Sequence, residues 1–301
     1  MSKTFAPIDF LSPGLMARLE RMEIVSRKVF RGRMKGERRS SRQGQSVEFA
    51  DFRGYVPGDD LRMIDWNLYA RLDQLFLKLF REEEDLHLHV LVDASESMRF
   101  GNPSKLFVAS QLAAALGYVG LCRSDRVRVA ALGKLGDAAP VLRGRTGFHR
   151  LVDYLTLVND PGATQKTTSL SEAVKDFLIR GGSTGIVVLV TDLMDKSGYE
   201  SALRMLVGRR MDILLVHLLS PEELDPPIRG DLRLIDAEDG DVTEMTISPY
   251  TLKRYQQTVN VFIEQARQFC ARRNIAYVFA KSDASIDLLI TQYLQKRGVV
   301  R

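Results

Sequence analysis

The sequence predicts an α/β protein with an open, mostly parallel β-sheet and helices on both faces, preceded by an N-terminal extension with a small β element. From residue 86 onward, short apolar runs alternate with segments of helical period. The runs at 186–191 and 213–219 are apolar at nearly every position, which is typical of parallel strands buried on both faces. With 45% hydrophobic and 27% charged residues over 301 positions, the composition is that of an ordinary globular chain.

The first 84 residues are predicted to form the extension. Apolar residues spaced by three and four predict a helix over 9–30, whereas 32–45 is basic, aperiodic and rich in Ser and Gly, as a loop is. Residues 47–52 and 75–80 alternate in polarity and predict two strands, with a turn at Pro57-Gly58 between them.

Residues 85–301 are predicted to form the main domain. Its predicted strands are 86–93, 127–132, 186–191, 213–219 and 275–280. Its predicted helices are 102–121, 146–157, 169–179, 197–207, a long helix from 248, and 286–294. The predicted helix starts are Asn102 before Pro103, the capping boxes Ser169/Glu172 and Ser197/Glu200, and Ser248 before Pro249. Asp239-Gly240 between two extended runs predicts a hairpin insertion at 231–247.

The long helix from residue 248 has an apolar stripe, which predicts that one of its faces packs on the core. The stripe is formed by Leu252, Tyr255, Val259, Phe262, Ala266 and Phe269.

Positive charge is concentrated near the N-terminus. Residues 1–50 contain eleven Lys and Arg against five Asp and Glu, while the whole chain has a formal net charge of only +5. Such a segment can bind nucleic acid or an acidic protein surface. The near absence of aromatic residues for base stacking and the acidic residues downstream favour a solvated or internally paired arm instead. The basic residues are Arg27, Lys28, Arg31, Arg33, Lys35, Arg38, Arg39 and Arg42.

The two cysteines, Cys122 and Cys270, are far apart in sequence, which fits a reducing compartment and predicts two small buried apolar side chains. The N-terminus lacks the pattern of a secretion signal, and no run of about 18 apolar residues is present. The sequence therefore predicts a cytoplasmic protein without a membrane span.

Oxygen-bearing side chains follow the predicted strands, where ligands bind in open α/β sheets. Asp93, Ser95 and Ser97 end the first strand of the domain, Thr168 opens a helix, and Asp192 ends the strand 186–191. Alternate residues of an extended loop point the same way, so Ser95 and Ser97 can converge on one ion. Carboxylate and hydroxyl oxygens suit a hard divalent cation such as Mg²⁺, although short Asp/Ser motifs also cap helices and turns.

Taken in this order, the D-x-S-x-S motif, the T-x-L-x-x-A motif at 168–173 and the Thr191-Asp192 pair resemble the metal-ion-dependent adhesion site of the von Willebrand factor A fold, a Rossmann-type sheet. The resemblance covers roughly 85–301. It implies that Asp93, Ser95, Ser97, Thr168 and Asp192 hold Mg²⁺, or another divalent cation such as Mn²⁺ or Ca²⁺. It also implies that a carboxylate of a partner protein completes the coordination.

The N-terminal part resembles the bacterial domain-of-unknown-function-58 family. The resemblance rests on Gly36-Glu37-Arg38-Arg39-Ser40, Phe49, the run RGYVPGDDLRMIDW at 53–66, and Ala70-Arg71. Members of this family are similar to von Willebrand A proteins and are commonly encoded beside MoxR-type AAA+ ATPases. The resemblance implies such an ATPase as partner, with this chain as a short form without the membrane helices of longer members.

The same signature predicts an ion-paired cluster in which Arg53, Arg62 and Arg71 pair with aspartates and Trp66 anchors a core. The aspartates are Asp59, Asp60 and Asp65. A second metal site at these three carboxylates is the alternative, disfavoured because three arginines would repel a cation.

Motifs of several enzyme classes are absent from the sequence. No GxxxxGK[ST], strand-linked GxGxxG, GxSxG or HExxH occurs, and the histidines at 87, 89, 149 and 217 are scattered, as core or edge histidines are. A metal-dependent phosphohydrolase would need a second carboxylate where Ser95 stands. The sequence therefore predicts a non-enzymatic, metal-dependent protein-interaction module.

Overall fold

The computed structural model describes residues 10–24, 48–81, 86–133, 140–160, 169–181, 184–235 and 242–291. In chain order their elements are α1 (Pro13–Leu19), β1 (Glu48–Gly54), α2 (Trp66–Leu72), β2 (Phe76–Arg81), β3 (His87–Asp93), α3 (Lys105–Cys122), β4 (Arg126–Leu132), α4 (Phe148–Asn159), α5 (Leu170–Ile179), β5 (Ile186–Thr191), α6 (Glu200–Gly208), β6 (Asp212–Leu219), α7 (Pro221–Leu224), β7 (Gly230–Ile235), β8 (Val242–Ile247), α8 (Pro249–Ala271), β9 (Ala276–Lys281) and α9 (Ile286–Leu288).

The chain divides into two compact units, residues 34–85 and residues 1–33 with 86–301. The sequence predicts the whole of 1–84 as one extension, but the structure groups α1 with the larger unit. The reason is packing: Phe10, Leu11, Leu15 and Leu19 are buried in the same apolar core as α3. Of the predicted helix over 9–30, the described part is helical only over Pro13–Leu19, after the N-cap Ser12.

The larger unit confirms the predicted α/β class. The five strands of its main sheet are all parallel, in the order β4-β3-β5-β6-β9. Because side chains alternate along a strand, Val90 of β3 belongs to the apolar core that includes residues of α1, α3, α4 and α9, whereas its neighbour Leu91 belongs to the core that includes residues of α5, α6 and α8. The sheet is therefore the middle of three layers, with both faces covered by helices.

Helix α3 is the central helix of one face, and nearly all of its residues are buried. Among the described residues it is the one helix long and apolar enough to cross a membrane by length and composition. Its most apolar window is 83% buried inside the fold, as a core helix also is.

Two predicted helix caps are corrected by the structure. Ser104, and not Asn102, caps α3, its hydroxyl accepting from the Phe107 N–H at 3.3 Å. Ser197 bonds to Asp195 and does not cap α6, whose N-cap is Tyr199. In both cases several polar residues precede the helix, and the backbone conformation of the loop determines which of its residues occupies the N-cap position.

Strands β7 and β8 form the predicted hairpin as a separate antiparallel sheet, while the predicted turn residues 239 and 240 lie outside the described residues.

The stripe of α8 reaches the core only toward its C-terminal end, where Ala266 is fully buried. Tyr255 is exposed, so its predicted burial is wrong. Cys270 is buried as predicted and Cys122 is half-buried.

In the smaller unit, β1 and β2 pair antiparallel and α2 lies between them in sequence. Asp65 caps α2 by accepting from the N–H groups of Asn67 and Leu68, and its carboxylate lies 3.1 Å from the Lys78 ammonium. Trp66, the first residue of α2, is 61% exposed, so the prediction of a core tryptophan is wrong. Its indole lies edge to face with the Tyr69 ring, with 6.1 Å between the ring centroids.

Candidate functional site

Strands β3 and β5 are neighbours at the switch point of the sheet, because the chain passes from β3 to β4 on one side and then to β5 on the other. Ligand crevices of open α/β sheets form at such a point, outside the carboxyl ends of the strands. Asp93 is the last residue of β3, and Thr191 is the last residue of β5. The topology thus brings together two of the segments that the sequence singles out.

The Asp93 carboxylate is almost completely buried and is held by bonds from two loops. Its Oδ1 accepts from the Ser95 N–H at 3.0 Å, and its Oδ2 accepts from the Thr191 hydroxyl at 2.6 Å. Thr191 Oγ1 also accepts from the Leu193 N–H at 3.0 Å, which orients its hydroxyl toward Asp93. The position of the carboxylate is therefore set from both strands.

The Ser95 and Ser97 hydroxyls lie 3.0 Å apart, as the alternation in the D-x-S-x-S motif predicts. Ser95 starts a 3-10 turn over Glu96–Arg99 without capping it by a side-chain hydrogen bond. The helix-capping alternative for Ser95 is thereby disfavoured. Asp93, Ser95 and Ser97 form a cluster of oxygen donors on one loop.

Thr168 lies outside the described residues, but the residues that follow it belong to the same edge of the sheet. Ser169 caps α5 by accepting from the Glu172 N–H at 3.2 Å, which confirms the N-cap of the predicted capping box. The Leu170 N–H donates to Asp195, which lies in the loop after β5. The start of α5 is thus tied to the loop that contains Asp192.

Asp192 is buried beside Lys105, which is not among the predicted site residues. The fully buried Lys105 ammonium lies 2.8 Å from Asp192 Oδ2 and also bonds to Glu223 of α7. The sequence contains a signal for Lys105 and for Glu223: Lys105 is the single charged residue of α3, and Ser220 and Glu223 have capping-box spacing. The predicted site residue Asp192 therefore already has a protein cation as partner.

Burial and the neighbouring Asp192 carboxylate raise the pKa of Asp93 to about 6. Two carboxylates in a desolvated place repel each other, so a bound cation would be favoured there. Among the described residues, no group of three His, Cys, Asp or Glu side chains could hold a metal. The donor set here is instead one or two carboxylates with two hydroxyls, which is the chemistry of a hard divalent cation. The described residues fit such an ion.

His217 is buried on β6, and its Nδ1 lies 2.8 Å from the Tyr277 hydroxyl. Burial lowers the pKa of His217 to about 4, against the opposite influence of Asp192. Phe262 and Phe279 surround the ring edge to face. The prediction of core histidines holds for His217 and for His89, which is buried as well.

The other candidate sites have less support. Arg53 pairs with Asp59 at 2.8 Å, the one predicted arginine pair present among the described residues. Hydrogen bonds from Arg53 and Val56 hold the pKa of Asp59 low, and Asp60 caps a 3-10 turn through the Arg62 N–H. With the pairing of Asp65 and Lys78, these contacts engage the three carboxylates of the alternative metal site. The basic segment over 27–42 lies outside the described residues.

Comparison with known proteins gives one family and several relatives. The family model described as "Protein of unknown function DUF58" matches residues 51–264. The uncharacterized protein Rv1480 of Mycobacterium tuberculosis is 26% identical over 245 residues, which are 80% of this chain and 76% of the relative. The uncharacterized protein YeaD of Bacillus subtilis is 29% identical over 117 residues, 39% of this chain and 28% of its own.

Similar solved structures include the conserved hypothetical protein BatB from Bacteroides thetaiotaomicron, with a TM-score of 0.43 and 16% identity. That match covers 70% of this chain and 98% of BatB. The manganese-loaded TRAP protein of Plasmodium vivax has a TM-score of 0.35 and 19% identity, covering 44% of this chain and 57% of its own. Both curated relatives are named as uncharacterized proteins.

Proposed function

The chain belongs to the DUF58 family, and from this premise we propose that it is a non-enzymatic protein-interaction module that binds its partner through a divalent cation. The observation that carries the proposal is the buried Asp93 carboxylate, which lies with the Ser95 and Ser97 hydroxyls at the switch point of the sheet. This donor set combines charge with neutral oxygens, as Mg²⁺ sites do.

Asp93, Ser95 and Ser97 are the proposed direct ligands, and Asp192 contributes negative charge from the next strand. Thr168 is the fifth proposed cation-binding residue, and it is included because of the resemblance to the adhesion site. When bound, the ion supplies a positive charge at which a carboxylate of a partner protein binds. Mg²⁺ is the expected ion, with Mn²⁺ or Ca²⁺ as substitutes.

Two exposed apolar side chains border the proposed site. Phe100 follows the Ser97 loop and is 52% exposed, and Met194 follows Asp192 and is 38% exposed. Large exposed apolar side chains beside a polar centre are typical of interaction surfaces. The proposed partner segment therefore contains an acidic residue flanked by apolar ones.

The site supports binding better than phosphoryl transfer. The position two residues after Asp93 is Ser95, which cannot act as a carboxylic acid or base at neutral pH. Glu96, the carboxylate of that loop, lies 3.4 Å from the Arg99 guanidinium. No acid–base partner for Asp93 is thus evident among these loop residues, and we propose no catalysis.

The proposed partner is a MoxR-type AAA+ ATPase in the cytoplasm, with this chain as its adaptor in the maturation or assembly of other proteins. The proposal follows the family resemblance. Binding through a metal-bridged carboxylate predicts that the complex forms with Mg²⁺ and dissociates with EDTA.

Cation binding is tested first, by calorimetric titration of the purified protein with Mg²⁺ and Mn²⁺. We expect a site that is lost in Asp93→Asn and weakened in Ser97→Ala. The matched control is Asp176→Asn, which removes an exposed carboxylate paired with Arg180 on α5. Equal binding by the wild type and Asp93→Asn would overturn the proposed site.

Partner binding is tested with the purified MoxR-type ATPase of the same genome and immobilised wild-type protein. We expect retention with Mg²⁺, release with EDTA, and no retention by Asp93→Asn. Retention that is independent of metal and of Asp93 would contradict the adhesion mechanism. A steep decrease of affinity with salt and capture of nucleic acid would indicate the basic segment instead.

A further inference from the structure

Lys105 is the first residue of α3, and its ammonium is fully buried between two carboxylates. Each carboxylate is also held by a backbone N–H: Asp192 Oδ1 accepts from Met194 at 3.0 Å, and Glu223 Oε2 accepts from Ser220 at 2.7 Å. Lys105 thus links the end of β5 to α7.

Packing alone does not account for this lysine. Burying an ammonium is strongly unfavourable unless opposite charges compensate it, and a buried ion pair is often no more stable than apolar residues of the same size. The rest of α3 is uncharged and packs well without such a group. Through its ion pair with Asp192, the ammonium also places a positive charge next to the proposed site.

The charges of the site can be counted from the contacts. Asp93, Asp192 and Glu223 supply three negative charges, and Lys105 supplies one positive charge, which leaves two negative charges in excess. A divalent cation neutralises this excess. A trivalent cation would leave a positive charge in a desolvated place, which is unfavourable.

We infer that Lys105 is a specificity-determining residue that matches the charge of the site to a divalent cation. Its ammonium offsets one carboxylate charge beside the ion, and it does so through Asp192, without itself being a ligand. The inference rests on the proposed function, because it concerns the cation that Asp93, Ser95 and Ser97 hold.

The test compares Mg²⁺ with the trivalent ion Tb³⁺ by calorimetry at pH 7.5, counting only binding that Asp93→Asn abolishes. In Lys105→Met the excess becomes three negative charges, and we expect the ratio of Tb³⁺ to Mg²⁺ affinity to rise by about tenfold or more. The metal-free variant is expected to melt at a lower temperature, because two buried carboxylates lose their counter-ion.

A second variant keeps the test decisive if Lys105→Met folds poorly. Lys105→Met/Glu223→Gln removes one charge of each sign and restores an excess of two, so its Tb³⁺ to Mg²⁺ ratio is expected to return to that of the wild type. The control is Lys253→Met, an exposed lysine of α8. The inference is overturned if the ratio of Tb³⁺ to Mg²⁺ affinity is unchanged in Lys105→Met. It is also overturned if this ratio stays raised in the double variant. A wild type that binds neither ion overturns the proposed function itself.

Discussion

Thr191 donates its hydroxyl to Asp93 Oδ2 at 2.6 Å, and this bond joins the carboxyl ends of the neighbouring strands β5 and β3. The bond favours the charged form of Asp93, because a donor stabilises a carboxylate more than a carboxylic acid. The residue before Asp192 therefore influences a ligand position on another strand.

Replacing Thr191 with Val removes the hydroxyl at nearly constant volume. The Leu193 N–H also loses its acceptor, so the free energy of unfolding should fall by about 1–3 kcal/mol in denaturant titrations. The pKa of Asp93 should rise further and cation affinity should decrease. Thr191→Ser keeps the hydroxyl and is the control for both effects. Wild-type cation affinity in Thr191→Val would show that the bond does not position the site.

Asp93 should make the metal-free protein less stable as the pH rises. Its pKa is about 6 in the folded protein, above the ordinary value of 3.8, so the native state binds more protons than the unfolded state between these values. Stability should therefore fall between pH 4 and pH 6, by roughly 1–3 kcal/mol. Urea titrations at several pH values should show this decrease in the wild type and not in Asp93→Asn. The same slope in both proteins would contradict it.

The titration of His217 should change the stability of the protein with pH in the direction opposite to that of Asp93. Its pKa is about 4 in the folded protein, so the unfolded state, with an ordinary pKa near 6.5, binds more protons between these values. Its contribution to stability is present above pH 6.5 and is lost as the pH falls toward 4. Compared with His217→Gln, the wild type should lose on the order of 2 kcal/mol across this window. Parallel pH profiles of the two proteins would refute the assignment.

Trp66 is the sole tryptophan and is mostly exposed, so its fluorescence in the native protein should be readily quenched by acrylamide. Trp66→Ala should change the unfolding free energy by less than about 1 kcal/mol, in contrast to the 3–5 kcal/mol of a buried aromatic residue. Leu77→Ala, at a buried position of β2, is the comparison and should be clearly more destabilising. A native tryptophan protected from acrylamide would contradict this account of α2.

Gly185 precedes β5 at a place with no room for a side chain. A Cβ there would lie 2.2 Å from the His87 carbonyl oxygen, which is backbone and cannot move aside easily. Gly185→Ala should destabilise the protein by roughly 3 kcal/mol or more, because β5 must shift against β3. Gly208→Ala is the matched control and should have little effect, because a Cβ there would meet no atom within 4 Å apart from its chain neighbours and the backbone of its own helix. Thermal melts of the two variants test the difference.

Much of the site could be predicted because its residues follow apolar strands directly. Asp93 and Thr191 end β3 and β5, and parallel strands that are neighbours bring their carboxyl ends together. The spacing of Ser95 and Ser97 also determines that their hydroxyls meet, since alternate residues of an extended segment lie on the same side. These relations depend on neighbours in sequence and on the fold class alone.

Lys105 could not be assigned in the same way, because its two partners lie 87 and 118 residues further along the chain. Their meeting requires α3, the end of β5 and α7 to pack at one point. The burial of Tyr255 and Trp66 was wrongly predicted for a related reason: an apolar side chain shows what can be buried, and the position of the other elements decides whether it is.

By itself, then, the sequence determined the α/β class, nearly every strand, and the line of oxygen donors at Asp93, Ser95 and Ser97, because hydrophobic period and residue spacing act locally. Only the tertiary structure decided which charged groups are buried together. It therefore also decided that the Asp192 carboxylate pairs with the Lys105 ammonium. Electrostatic energies depend on burial and on distances between remote elements, and these exist only once the chain is packed.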